Sequence, residues 1–154
     1  TVTFGGNLFV AGGEEGSVIT SGDGVHWKPQ ASGITSHING MAYGAGKFVA
    51  VSAEGTIITS AKGNQWTATY TADMETTLHA VAYCGDRFIA GGKDVLLESV
   101  NGTDWKTMEG GAPDAGGWNI YGISCGKGIT VAVTMEGSIL VAKNKSCNKL
   151  IVFS

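Results

Sequence analysis

Three glutamates, Glu15, Glu54 and Glu136, are the side chains whose type and context best suit chemistry, because each stands in a Glu-Gly pair just ahead of a β-branched run. Two carboxyl groups facing one bond can hydrolyse a glycosidic linkage, one acting as acid and the other as base or nucleophile. Their recurrence at one equivalent point of the chain supports a second reading, solvated acids in hairpin turns, and no residue is assigned a catalytic role. Other reactive types are scarce. The histidines His26, His37 and His79 lack the spacing of metal ligands, so no metal site is assigned. Cys84, Cys125 and Cys147 form an odd set with no CxxC pair. A Cys125–Cys147 disulfide would leave Cys84 free; three small buried hydrophobes is the other reading. Nothing matches G-x-S-x-G, HExxH or a phosphate-binding loop, and no cofactor is implied.

These residues sit on a repeat. The segments FVAGGEEGSVITSGDGVHW, FVAVSAEGTIITSAKGNQW and FIAGGKDVLLESVNGTDW align almost without gaps, and ITVAVTMEGSILVAKN is a fourth, weaker copy. Ser21, Ser60 and Ser99 are spaced 39 and 39 apart, as are Trp27, Trp66 and Trp105. Within the second copy, Gly40–Tyr43, Phe48–Val51, Thr56–Ser60 and Gln65–Tyr70 read as four short strands separated by glycine turns. No window carries a 3.6-residue apolar period, so no long helix is expected.

Four antiparallel strands in every unit of about 40 residues describe a blade, and four blades an all-β propeller. The blades are expected at roughly 1–32, 33–72, 73–112 and 113–154 of a single domain. Small first strands suit the crowded axis, and the tryptophans suit fourth strands at the wide rim. A closed four-bladed ring is preferred to the alternatives, half of an eight-bladed ring made by two chains or part of a larger propeller.

Composition narrows the function. With 10 Lys+Arg against 13 Asp+Glu the net charge is −3, which disfavours nucleic acid and anionic membranes as partners. No apolar run approaches the roughly 18 residues that span a bilayer, so no membrane insertion is expected, and no signal-like segment opens the chain. A start at Thr1 without Met suggests a processed chain or an excised fragment. Asn101-Gly-Thr103 and Asn144-Lys-Ser146 are glycosylation sequons that fall in repeat turns.

SGDGVHW, residues 21 to 27, resembles the Asp-box of BNR-repeat propellers, S-x-D-x-G-x-T-W, as found in sialidase-like propellers, bacterial secreted BNR proteins and photosystem II assembly and stability factors. Ser21, Asp23 and Trp27 match the box, and Gly24 arrives one residue early. Ser60 with Trp66 and Ser99 with Trp105 repeat it; Lys62 replaces the Asp in the second copy and Asn101 replaces it in the third. The resemblance implies a folding role for the box, away from any active site, and a secreted or extracytoplasmic location. A sialidase also needs three arginines to clamp a carboxylate. This chain has one, Arg87, so that activity is excluded for a single chain.

Recognition is then expected where the copies differ. Asn39, His79 and Tyr121 fall at one equivalent first-strand position, with His37 and Asn119 two residues before. They would converge near the axis as a ligand site or as a polar, water-filled lining. The longest loop, Met108 to Asn119, carries Trp118 outside the rim register, either as a stacking platform or as a plug over the channel mouth. The expected function is a non-catalytic module that binds a glycan or a protein through one face. A BNR-type polysaccharide hydrolase or lyase and an assembly factor are the alternatives, and a homodimer is one expected assembly.

Overall fold

The computed structural model describes residues 1–72, 75–108, 117–143 and 151–153. Sixteen strands form four antiparallel sheets of four, each meandering in chain order. Blade one holds β1 (Val2–Gly5), β2 (Leu8–Gly12), β3 (Val18–Ser21) and β4 (Lys28–Gln30). Blade two holds β5 (Ile38–Gly44), β6 (Lys47–Ser52), β7 (Thr56–Ser60) and β8 (Thr67–Thr71). Blade three holds β9 (Leu78–Tyr83), β10 (Phe88–Gly92), β11 (Val95–Ser99) and β12 (Lys106–Thr107). Blade four holds β13 (Ile120–Gly126), β14 (Ile129–Thr134), β15 (Ile139–Lys143) and β16 (Ile151–Phe153). The four-bladed all-β propeller architecture read from the repeat is the architecture observed. The described residues contain no α-helix, only a 3₁₀ turn at Glu14–Gly16, and none is long and apolar enough to cross a membrane.

The core lies between blades, which explains why second strands are apolar on both faces. Val10 and Val18 of blade one pack with Ile38, Met41, Phe48 and Ala50 of blade two. Val49 and Val51 turn the other way and join Leu78, Val81, Phe88 and Leu97 of blade three. Ile89 and Leu96 of blade three meet Ile120, Ala132 and Leu140 of blade four. Each such aliphatic side chain contributes about 1.5–3 kcal/mol on leaving water.

The first strands stand innermost and tile by glycine. A Cβ on Gly5 would run into the Tyr43 ring, and one on Gly44 into the Tyr83 ring. At the third interface the same two positions hold Cys84 and Cys125, which form a disulfide. The expected Cys125–Cys147 pairing is thereby corrected. Cys84 directly follows the inner strand β9 and lies beside Cys125, and Cys147 lies outside the described residues.

Two further expectations change. Innermost strands pack as β1 on β5, β5 on β9 and β9 on β13, and no comparable packing joins β13 to β1 among the described residues. The four blades therefore form an open arc rather than the closed ring expected. The tryptophans are not in the fourth strands but immediately before them. Their indole N–H groups donate to the carbonyls of Gly24, Gly63 and Gly102, at 3.2, 3.1 and 3.2 Å. A donor-only indole N–H is best satisfied in a turn, where a strand ladder does not compete for the carbonyl.

Candidate functional site

Antiparallel meanders place the turns between second and third strands, and the links between blades, on one face of the arc. The first-to-second and third-to-fourth turns lie on the other. The inner strands open onto the former face, and each of three carries a bulge there. In blade two the ladder passes from Ile38 to Gly40, in blade three from Leu78 to Ala80, and in blade four from Ile120 to Gly122. The residues left out of register are Asn39, His79 and Tyr121, the three positions singled out for varying between copies. A bulge frees one residue from the ladder and re-aims its side chain.

Each of the three makes a contact across a blade boundary. Asn39 Nδ2 donates to the Leu78 carbonyl at 2.7 Å, tying blade two to blade three. The His79 ring stacks on Tyr121, centroids 4.2 Å apart and 14° from parallel, tying blade three to blade four. Tyr121 remains 51% exposed, so its outer face is open. Partial burial pushes the His79 imidazole below its ordinary value, and the neighbouring Asn119 side chain opposes that shift. Asn119 lies near enough to favour the charged ring, yet its buried Oδ1 has no hydrogen-bond partner. That acceptor is unsatisfied at a point where burial makes it costly.

The other expected site residues are placed differently. His37 is exposed on the same face, and its carbonyl accepts from Ala53 N at 2.9 Å. Trp118 is half-buried and packs against the cluster of Met108, Ile120 and Leu140. Most of the loop before it, residues 109–116, lies outside the described residues.

Asp94 escaped the sequence reading. It stands in the shortened turn of blade three, in register with Glu15, Glu54 and Glu136, and that register was the available signal. Its Oδ1 accepts from Gly117 N at 2.6 Å and Trp118 N at 3.1 Å, fixing the entry to blade four. Glu136 Oε2 accepts from Asn119 N at 3.5 Å, and backbone donors hold its carboxyl below the ordinary range. Glu14, Glu15, Glu54, Asp94 and Glu136 with Lys93 leave this face net acidic among the described residues.

The opposite face carries the recurring boxes. Ser21 Oγ accepts from Gly24 N at 2.9 Å, and Asp23 Oδ1 accepts from Val25 N and His26 N at 2.9 and 2.8 Å. Ser99 and Asn101 reproduce these bonds: Gly102 N to Ser99 Oγ, and Thr103 N and Asp104 N to Asn101 Oδ1, all at 2.9 Å. In blade two only the serine bond is kept, Gly63 N to Ser60 Oγ at 2.8 Å, because Lys62 has no acceptor. His26 is exposed, as expected, but bonded to Asp23 at 2.7 Å, and that contact leads the causes that lower the Asp23 carboxyl. The Asn101 amide of the first sequon donates to Asp104 at 2.7 Å; Asn144 of the second lies outside the described residues. Arg87 is also on this face, paired with Glu98 at 2.8 Å and Asp86 at 3.2 Å, and so is engaged within blade three. The described residues contain no cluster of three or more metal-ligating side chains.

Inter-blade packing, radial glycines and bulged inner strands define the class: a β-propeller arc whose varied side chains share one mouth. Solved structures share the fold. The chain aligns with a computationally designed protein, Ika8, at 20% identity and a TM-score of 0.75, over 97% of this chain and 46% of that one. It aligns with YCF48 from Cyanidioschyzon merolae at 14% identity and a TM-score of 0.76, over 99% and 55%. A structure of YCF48 bound to D1 peptide aligns at 11% identity and a TM-score of 0.71, over 94% and 50%. The chain thus spans about half the length of these structural neighbours. No family model matches the sequence, and no curated protein matches it.

Proposed function

We propose that the chain is a non-catalytic binding module that takes an extended protein segment across the mouth bearing Asn39, His79 and Tyr121. The observation that carries this reading is that all three residues stand outside the strand ladder at equivalent points of neighbouring inner strands, and that the His79 ring backs an exposed Tyr121 ring. An exposed, rigidly backed aromatic is a strong anchor for a partner. The surrounding carboxylates favour a segment carrying Lys or Arg. The likeness to YCF48, one structure of which holds a peptide, supports a protein ligand, and an assembly role is a special case of this reading.

Tyr121 supports a second reading. An aromatic ring lying flat on another also suits the apolar face of a sugar, so a glycan is the competing ligand. The hydrolase reading is the weaker one. Asp94 and Glu136 already hold backbone N–H groups, and a general acid needs a raised carboxyl, opposite to the shift at Glu136. We assign the Ser-Asp and Ser-Asn turns to Asp-box repeats. The Cys84–Cys125 disulfide supports an oxidising, extracytoplasmic compartment.

Binding of a library of basic peptides, set beside a glycan array, tests the proposal. Peptide binding that falls by roughly 10-fold or more in Tyr121→Ala supports it. Glycan binding without peptide binding would move the assignment to the second reading, and peptide binding indifferent to Tyr121 would refute the site.

A further inference from the structure

The two ends of the arc carry the two halves of the contact that joins its blades. At the leading end, Phe4 occupies the position of Tyr43 and Tyr83. It packs on Phe9 at 4.5 Å, and Phe9 lies 6.4 Å from Trp27. Blade three repeats this triad with Tyr83, Phe88 and Trp105 at 4.8 and 6.4 Å. In blade three the triad is covered by blade two, and Phe88 is fully buried. In blade one it faces outward, with Phe4 54% and Trp27 37% exposed beside exposed Val2 and Ile19.

At the trailing end, Gly126 occupies the position of Gly5 and Gly44. A Cβ there would meet nothing within 4 Å, whereas at Gly5 and Gly44 it would strike a tyrosine. An open recess of about 400 Å³, lined by Ser124, Cys125, Gly126, Lys127, Ile129 and Val131, surrounds it. Val133 and Ile139 stand in register with Gly12 and Val18, which receive blade two at the first interface. Both are more than 40% exposed.

From this we infer that a second copy of the chain completes the ring: Phe4 of each copy seats over Gly126 of the other, and two head-to-tail contacts related by a two-fold axis close eight blades. One chain supplies both an uncovered aromatic and an empty glycine socket, so its own copy satisfies both at once. The contact continues an interface that the chain builds three times internally, so its shape complementarity is already set. Exposed apolar faces of this kind mark association sites.

Cysteine pairing provides the test, because Cys84 and Cys125 already bridge these two positions at the third interface. In a Cys147→Ser background, Phe4→Cys together with Gly126→Cys is expected to give a covalent two-copy species on a non-reducing gel, and neither single change to do so. Sedimentation of the unaltered chain is expected to give twice the chain mass. Phe4→Glu and Gly126→Trp, with an unchanged circular dichroism spectrum, are each expected to weaken association roughly 30-fold or more. A single-copy mass would overturn the proposal and leave these faces to further blades on one polypeptide. A two-copy mass without the cross-link would overturn it equally.

Discussion

Cys125 meets Cys84 where, one interface earlier, Tyr83 meets Gly44: the disulfide replaces a ring-on-glycine contact with a covalent bond at the same place in the repeat. The bridge closes a loop with a sequence separation of 41, the length of one blade. Removing it with Cys84→Ser is expected to lower unfolding free energy by about 2–4 kcal/mol. The paired change Cys84→Gly with Cys125→Tyr, which installs the glycine–tyrosine contact of the other two interfaces, is expected to recover part of that loss. Urea unfolding of the three proteins measures both effects.

The tyrosine contacts themselves are open to a simpler probe. Gly44→Ala forces a methyl group into the Tyr83 ring and is expected to destabilise the fold by about 1–3 kcal/mol. Gly126→Ala, made at the equivalent open position, is expected to change little in a single chain. Equal losses at both sites would show that backbone freedom, not ring packing, demands the glycines.

Blade two is the blade with an incomplete box. Lys62→Asp supplies the acceptor that Asp23 and Asn101 provide in blades one and three, and is expected to raise stability by about 0.5–1.5 kcal/mol. Asn101→Ala is expected to cost a similar amount, in thermal or denaturant unfolding. An unchanged midpoint for both would mean that the serine and indole bonds alone hold the turn.

Partial burial of His79 is expected to make stability fall in mild acid. Burial lowers the folded-state imidazole below its ordinary 6.5, so the unfolded chain takes up the proton first. This penalty is absent above 6.5 and grows as pH drops from there to the folded value. Denaturant midpoints between pH 5 and 8 are expected to decline on the acid side in the unaltered protein. His79→Gln is expected to flatten that decline.

Much of the fold was legible because four copies of one sheet repeat their serines, tryptophans and glycines in phase. The mouth residues were legible for the converse reason: Asn39, His79 and Tyr121 vary where the scaffold does not. What a repeat alignment cannot supply is how one copy meets the next. The Cys84–Cys125 pairing hid because its members stand one residue out of register, and they touch only when the glycine of one blade faces the aromatic position of its neighbour. Whether the arc closes depends on the angle between sheets, which no strand pattern records. The place of Trp118 could not be read, because a large aromatic in a glycine-rich segment satisfies a hydrophobic cluster as readily as it greets a ligand. Asp94 was overlooked because a one-residue deletion in its turn disguised the match to Glu15, Glu54 and Glu136.

The bulges at Asn39, His79 and Tyr121 separate two tasks within a single strand. Since the ladder skips these residues, exchanging their side chains leaves the strand-to-strand hydrogen bonds of each sheet in place, and only at Asn39 is a side-chain bond to a neighbouring carbonyl given up. The same three addresses are therefore the natural positions to randomise when a new specificity is sought, with every neighbouring residue held fixed.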